Sequence, residues 1–166
     1  MKLIIFVALC FIIYSCSTNR KEPINSGNEI EQINLSSKLI TREQPVDPSI
    51  PESDITSDTQ FRKLFEERTS DYQVLAKGII IKTLRDDLEG SRHQRFIIEL
   101  NSGQTLLIAH NIDIAPRVDG IIKGQVIYIY GEYEWNNNGG VIHWTHNDPD
   151  GNHPNGWIQF HGKKYQ

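Results

Sequence analysis

The sequence predicts a mainly β fold, a small five-stranded barrel of the OB type led by one short N-terminal helix. Three observations predict it. Five short runs of alternating or apolar β-forming residues occupy positions 73–146, turn signals separate them, and one longer break falls between the third and fourth runs. Three meandering strands, a connecting segment and then a hairpin is the strand order that closes a small sheet on itself and removes most of its exposed edges.

The helix comes first. Ser57-Asp58-Thr59-Gln60 has the spacing of a capping box, and Phe61, Leu64 and Phe65 follow at i, i+3 and i+4, so an amphipathic helix is expected over Ser57–Arg68. The first strand, Gln73–Leu84, holds Ile79-Ile80-Ile81; the second, Arg92–Leu100, sets Phe96, Ile98 and Leu100 on one side; the third, Gln104–His110, is apolar. Asp86-Asp87-Leu88-Glu89-Gly90 and Asn101-Ser102-Gly103 are the turns between them. Asn111–Gly124 connects to the fourth strand and contains Pro116, which either starts or disrupts a turn of helix. The fourth strand, Gln125–Trp135, is an aromatic stripe of the kind on which sugars or bases stack, but alternation puts Tyr128 and Tyr130 on one face and Tyr133 and Trp135 on the other. Asn136–Gly140 then makes a hairpin into the fifth strand, Gly140–His146. An open antiparallel sheet packed on the Phe61 helix is the competing arrangement.

The segment before the helix reads as an address. Met1-Lys2 precedes the apolar run Leu3–Ile13, a positive end followed by a stretch too short to span a bilayer, which is the pattern of a secretory signal. Ile13-Tyr14-Ser15-Cys16 resembles a bacterial lipobox, so residues 1–16 are expected to be a lipoprotein signal and Cys16 the lipidated anchor. Plain cleavage or an uncleaved anchor is the alternative. Two or more acyl chains at Cys16 give stable anchoring where one is marginal. Residues 17–56 are rich in Ser, Asn, Glu, Gln and Pro and read as a flexible tether, with the barrel at 57–166. About 40 such residues reach roughly 35 Å, which holds a domain clear of the lipid headgroups. The expected location is the cell envelope, with the membrane as partner through Cys16.

Composition narrows the chemistry. The chain has 166 residues and a formal net charge of −4, which argues against nonspecific nucleic-acid binding. Its 2 cysteines, Cys10 and Cys16, both precede the tether, so the barrel has no thiol for a disulfide, a thiolate zinc site or a nucleophile. Any metal is left to His, Asp, Glu or Asn, and all 6 histidines lie between His93 and His161.

The run from Val141 to Trp157 concentrates the candidates. On a straight strand His143 and His146 face opposite ways. The turn signal Asn147-Asp148-Pro149-Asp150-Gly151 ends the strand, and a bend at Thr145 or His146 would let His143, His146, Asp148 and His153 converge on one divalent metal such as zinc. An EF-hand reading fails, because His153 stands where that loop needs Gly and Gln159 where it needs Glu. A hydrogen-bonded cap is the other reading, with Asn147, Asp148 and the histidines satisfying the backbone while Trp144 and Trp157 plug the barrel end. Arg92, His93, Arg95, His110, Asn111 and Asp113 sit at strand ends, where OB barrels hold ligands, and together with Trp144 and Trp157 form the candidate ligand-binding set.

Several of these segments together resemble a bacterial family catalogued only as a domain of unknown function. They are Arg92-His93-Gln94-Arg95-Phe96, the run Ser102–Arg117, Gly131-Glu132-Tyr133-Glu134-Trp135, Gly139–Pro149, and His153 with Gly156-Trp157. The resemblance covers Asp71 to the C-terminus and implies an OB-like fold in small, often exported proteins, with no assigned activity. The residues therefore suggest a tethered ligand- or metal-binding module. The alternative is a phosphodiesterase or nuclease-like hydrolase with histidines as acid and base and Arg92 or Arg95 neutralising a phosphate or carboxylate. A purely structural envelope role needs neither.

Overall fold

Strand β1, Tyr72–Thr83, is long enough to serve two neighbours, and that closes the barrel. The computed structural model describes residues 49–166; the signal segment, Cys16 and most of the expected tether lie outside them. The first part of β1 pairs antiparallel with β4 (Val126–Glu134), from Tyr72↔Tyr133 to Ile79↔Val126. Its second part pairs with β2 (His93–Glu99), from Ile79↔Glu99 to Thr83↔Phe96, with a bulge between Ile80 and Lys82. A bulge increases local twist and lets one strand turn a barrel corner. Strand β2 pairs with β3 (Thr105–Asn111), β3 runs parallel to β5 (Val141–His143), and β5 returns antiparallel to β4. The closed order β1-β2-β3-β5-β4 is that of the expected five-stranded OB-like barrel.

Alternation fixes the two faces. Phe96, Ile98, Leu106, Ile108, Ile129 and Ile142 fill the interior, while His93, Arg95, Leu107, Ala109, Val141, His143, Glu132 and Glu134 take the opposite parity on the same strands and face out. Helix α1, Asp58–Glu66, matches the sequence expectation within two residues, and Ser57 caps it by accepting from the Gln60 amide at 3.2 Å. Its Phe61 and Leu64 are buried, Phe61 edge-on to Tyr133 at 6.2 Å, and each such burial contributes about 1.5–3 kcal/mol. Trp135 secures the other end of α1 by donating Nε1–H to the Phe65 carbonyl at 3.0 Å.

Of the two alternatives at Pro116 the chain takes disruption: the connection from Ile112 to Gln125 forms turns and no helix, Pro116 lacks an amide donor, and its carbonyl is taken by His110. Two features differ from the sequence expectation. Two further strands, β6 (Trp157–Phe160) and β7 (Lys163–Tyr165), form a hairpin that extends the sheet beyond β4. Their apolar residues Ile158, Phe160 and Tyr165 are buried, so this C-terminal stretch is part of the core and not a long loop. Ordered contacts also begin upstream of Ser57: Thr56 exchanges backbone and side-chain bonds with Leu75, and Glu52 pairs with Lys77 at 3.2 Å.

Candidate functional site

The hairpin from β4 to β5 builds the site. Asn136 Oδ1 accepts from the amides of Asn138 and Gly140, which holds the turn and sets the register Glu132↔His143 and Glu134↔Val141. Glu132 and Glu134 are two apart on one strand and therefore share the outer face with His143. His143 Nε2 lies 3.3 Å from Glu132 Oε1 and 3.9 Å from Glu134 Oε1, and one donor atom from each of the three falls within 4.8 Å of the other two. Ligands on a tetrahedron of about 2.1 Å bonds stand about 3.4 Å apart, so this trio is near enough to close on one cation by small side-chain adjustments.

The electrostatics agree. His143 Nε2 is itself buried, and its contact with Glu132 is an ion-pair approach and not a well-aligned hydrogen bond. Burial lowers the pKa of this imidazole below its ordinary value against the opposing pull of Glu132 and Glu134, which keeps it in the neutral form that binds metal. Two carboxylates and an imidazole suit zinc or another borderline divalent cation.

The chain leaves β5 sharply after His143. Trp144 takes a left-handed backbone, φ 50°, which is uncommon outside glycine. The bend thus falls at Trp144, ahead of the Thr145 or His146 expected from the sequence. Thr145 turns inward, and the following loop folds back over the outer face of β4. Gly156 closes the loop by donating its amide to the His146 carbonyl at 2.8 Å. It passes so close to the Trp144 and Tyr130 carbonyls that no side chain fits there.

This fold-back does not gather the four residues expected at one metal: His153 joins His143 at Glu132, while His146 and Asp148 take other partners. His153 arrives beside Glu132, its Nε2 2.8 Å from Oε2, with its ring stacked on Trp144 at 4.2 Å. Its Nδ1 faces the Pro154 carbonyl at 2.8 Å, so both ring nitrogens meet acceptors. Burial alone would lower the His153 pKa, but the bonds to Glu132 and Pro154 and the charges of Glu132 and Asp148 outweigh it and raise the value. His153 thereby pins Glu132 from behind, the position of an outer-shell partner. His146 is buried apart from the trio, with Nδ1 on the Asn147 carbonyl at 2.8 Å. Asp148 caps the loop: its carboxylate accepts from the amides of Asp150, Asn152 and His153, which together outweigh desolvation and lower its pKa.

The wider candidate set divides as well. His110 is fully buried inside the barrel between the Thr145 hydroxyl at 2.8 Å and the Pro116 carbonyl at 3.0 Å. Nε2 must donate to that carbonyl, and burial lowers the pKa, so His110 is a neutral structural bridge. Asp113 closes the start of β2 by accepting from the Arg92 amide and guanidinium, and Asn111 accepts from the Asp113 amide. Trp157 lies on the outer face of β6 against Tyr130 at 5.8 Å and does not plug the barrel. His93 and Arg95, in contrast, line a groove of ≈ 280 Å³ together with Asp87, Leu107, Ala109, Val141, Glu134 and His143.

Sequence reasoning missed Glu132 and Glu134, which the aromatic stripe overshadowed. The signal was present: folding the chain about the Asn136–Gly140 turn sets Glu132 opposite His143.

The family model described as "Protein of unknown function (DUF3465)" matches residues 48–166. The chain belongs to this family. In this DUF3465 protein the match takes in the whole barrel, the β6–β7 hairpin and the ordered contacts ahead of α1. No curated protein matches the chain.

Proposed function

We propose that this DUF3465 protein is a metal-binding OB-like module in which Glu132, Glu134 and His143 hold one divalent cation of the zinc type. The observation that carries the reading is the convergence of His143 Nε2 on two carboxylates at 3.3 and 3.9 Å, one donor atom from each residue lying within 4.8 Å of the others. His153 acts through Glu132 and Trp144 through His153. The test is elemental analysis of the untagged full chain after zinc loading and dialysis. One zinc per chain in the wild type, and a loss of tenfold or more in affinity for Glu134→Gln and His143→Ala, is the expected result. Equal zinc retention by all three proteins would overturn the reading.

Three protein ligands leave a coordination position for water, which favours metal-assisted hydrolysis as a second reading. Its test is turnover of model phosphodiesters by the zinc-loaded chain; activity that survives His143→Ala would dispose of it. The module is further proposed to be exported and tethered to the cell envelope by lipid at Cys16, on the strength of the Leu3–Cys16 pattern. Labelling with a radioactive fatty acid should mark the wild type and not Cys16→Ala.

A further inference from the structure

One row of side chains crosses the outer face of the barrel at the level of the trio. Glu132 of β4 pairs with His143 of β5, and Ala109 of β3 pairs with Arg95 of β2. The β3–β5 register, Leu107↔Val141 and Ile108↔Ile142, brings Ala109 level with His143. The row thus reads Glu132, His143, Ala109, Arg95. Strands in a sheet stand about 4.8 Å apart, so the His143 and Arg95 backbones are about 10 Å apart with only a methyl group between them. That gap is the groove of ≈ 280 Å³, floored by Leu107, Ala109 and Val141.

The far wall is preset. Arg95 donates Nε and Nη2 to the Arg85 carbonyl, both at 3.2 Å, and its Nη1 lies 3.5 Å from Asp87. A guanidinium fixed on one edge keeps its remaining N–H donors for a ligand. His93 stands on the same face of β2 and lines the same groove.

We propose that the groove takes a phosphoryl group that bridges the cation at Glu132, Glu134 and His143 to the Arg95 guanidinium above Ala109. The inference rests on the metal reading. Without the cation, Asp87 and Glu134 outweigh Arg95 and repel an anion; with it, the carboxylates of the trio are neutralised, and the open coordination position and the Arg95 donors can each take an oxygen. A phosphoryl group carries more charge than a carboxylate and has three oxygens, so it can meet the cation and the guanidinium with separate oxygens and keep one for the His93 side of the groove. The groove volume lies near the lower end of the range for small-molecule sites, roughly 300–1,000 Å³, so the occupant is a small phosphorylated compound or one unit of a longer one.

The probe is inorganic phosphate, titrated calorimetrically into the dialysed, zinc-loaded full chain, with zinc content measured on every sample. Wild type binds phosphate; Arg95→Gln weakens it at least tenfold and Ala109→Leu, which fills the gap, abolishes it, while both variants keep one zinc per chain. Zinc-free wild type does not bind. Zinc retained without phosphate binding, unchanged affinity in both variants, or binding by the zinc-free chain overturns the phosphoryl proposal and leaves the metal reading standing. Failure of the wild type to hold zinc overturns both.

Discussion

At the scale of single residues, four histidines carry four different duties, and their surroundings decide which. His143 points Nε2 between two carboxylates; His153 is doubly hydrogen-bonded; His110 is sealed in the core; His93 lines the groove. The raised pKa of His153 means that its pairing with Glu132 stabilises the fold fully below the unfolded value of about 6.5 and is lost as pH rises through the folded value. An NMR titration should show the His153 pKa falling in Glu132→Gln. His110 has the opposite sign, since burial lowers its pKa: its contribution is complete above about 6.5 and is lost as pH falls toward the folded value. Replacing it by alanine leaves a cavity and strands the Thr145 hydroxyl, so urea unfolding of His110→Ala should lose about 2–4 kcal/mol. None of these duties is visible in the residues next to each histidine, because each depends on which strand face or which loop turn receives the ring.

At the scale of elements, the loop from Trp144 to Gly156 links sequence pattern to site geometry. Its turn chemistry was legible: Asp148 caps it through three backbone amides, as the Asn147–Gly151 cluster suggests. Its path was not legible, because a left-handed tryptophan and a glycine wedged between two carbonyls are tertiary facts. Gly156→Ala should therefore lift the loop from β4, lowering stability by about 1–3 kcal/mol and reducing the near-UV circular dichroism of the Trp144–His153 stack. The strands show the same division. Alternation fixed the outer parity of His143 and of the Glu132–Glu134 pair, while the aromatic residues between them drew the reading away from the carboxylates. Helix α1 was legible from its cap and spacing, and Ser57→Ala should cost about 1 kcal/mol in thermal unfolding.

At the scale of the whole molecule, a closed barrel turns its inner parity into core and leaves its outer parity for chemistry. The strand order could be read from three meandering runs, a break and a hairpin. The β6–β7 hairpin could not be, since four- and three-residue strands separated by His161-Gly162 give too little periodicity to stand out from the loop before them. Closure matters for function because β3 and β5 meet in parallel, and that contact alone brings Arg95 and His93 to the same groove as His143. The central claim is that the outer face presents two carboxylates and one imidazole to a single cation. X-ray absorption at the zinc edge, on the untagged full chain loaded with one equivalent, tests it most directly. The account predicts a mixed oxygen and nitrogen shell at about 2.0–2.2 Å with one imidazole, lost in His143→Ala. A shell of water oxygens alone, or an imidazole signal that persists in His143→Ala, would contradict it.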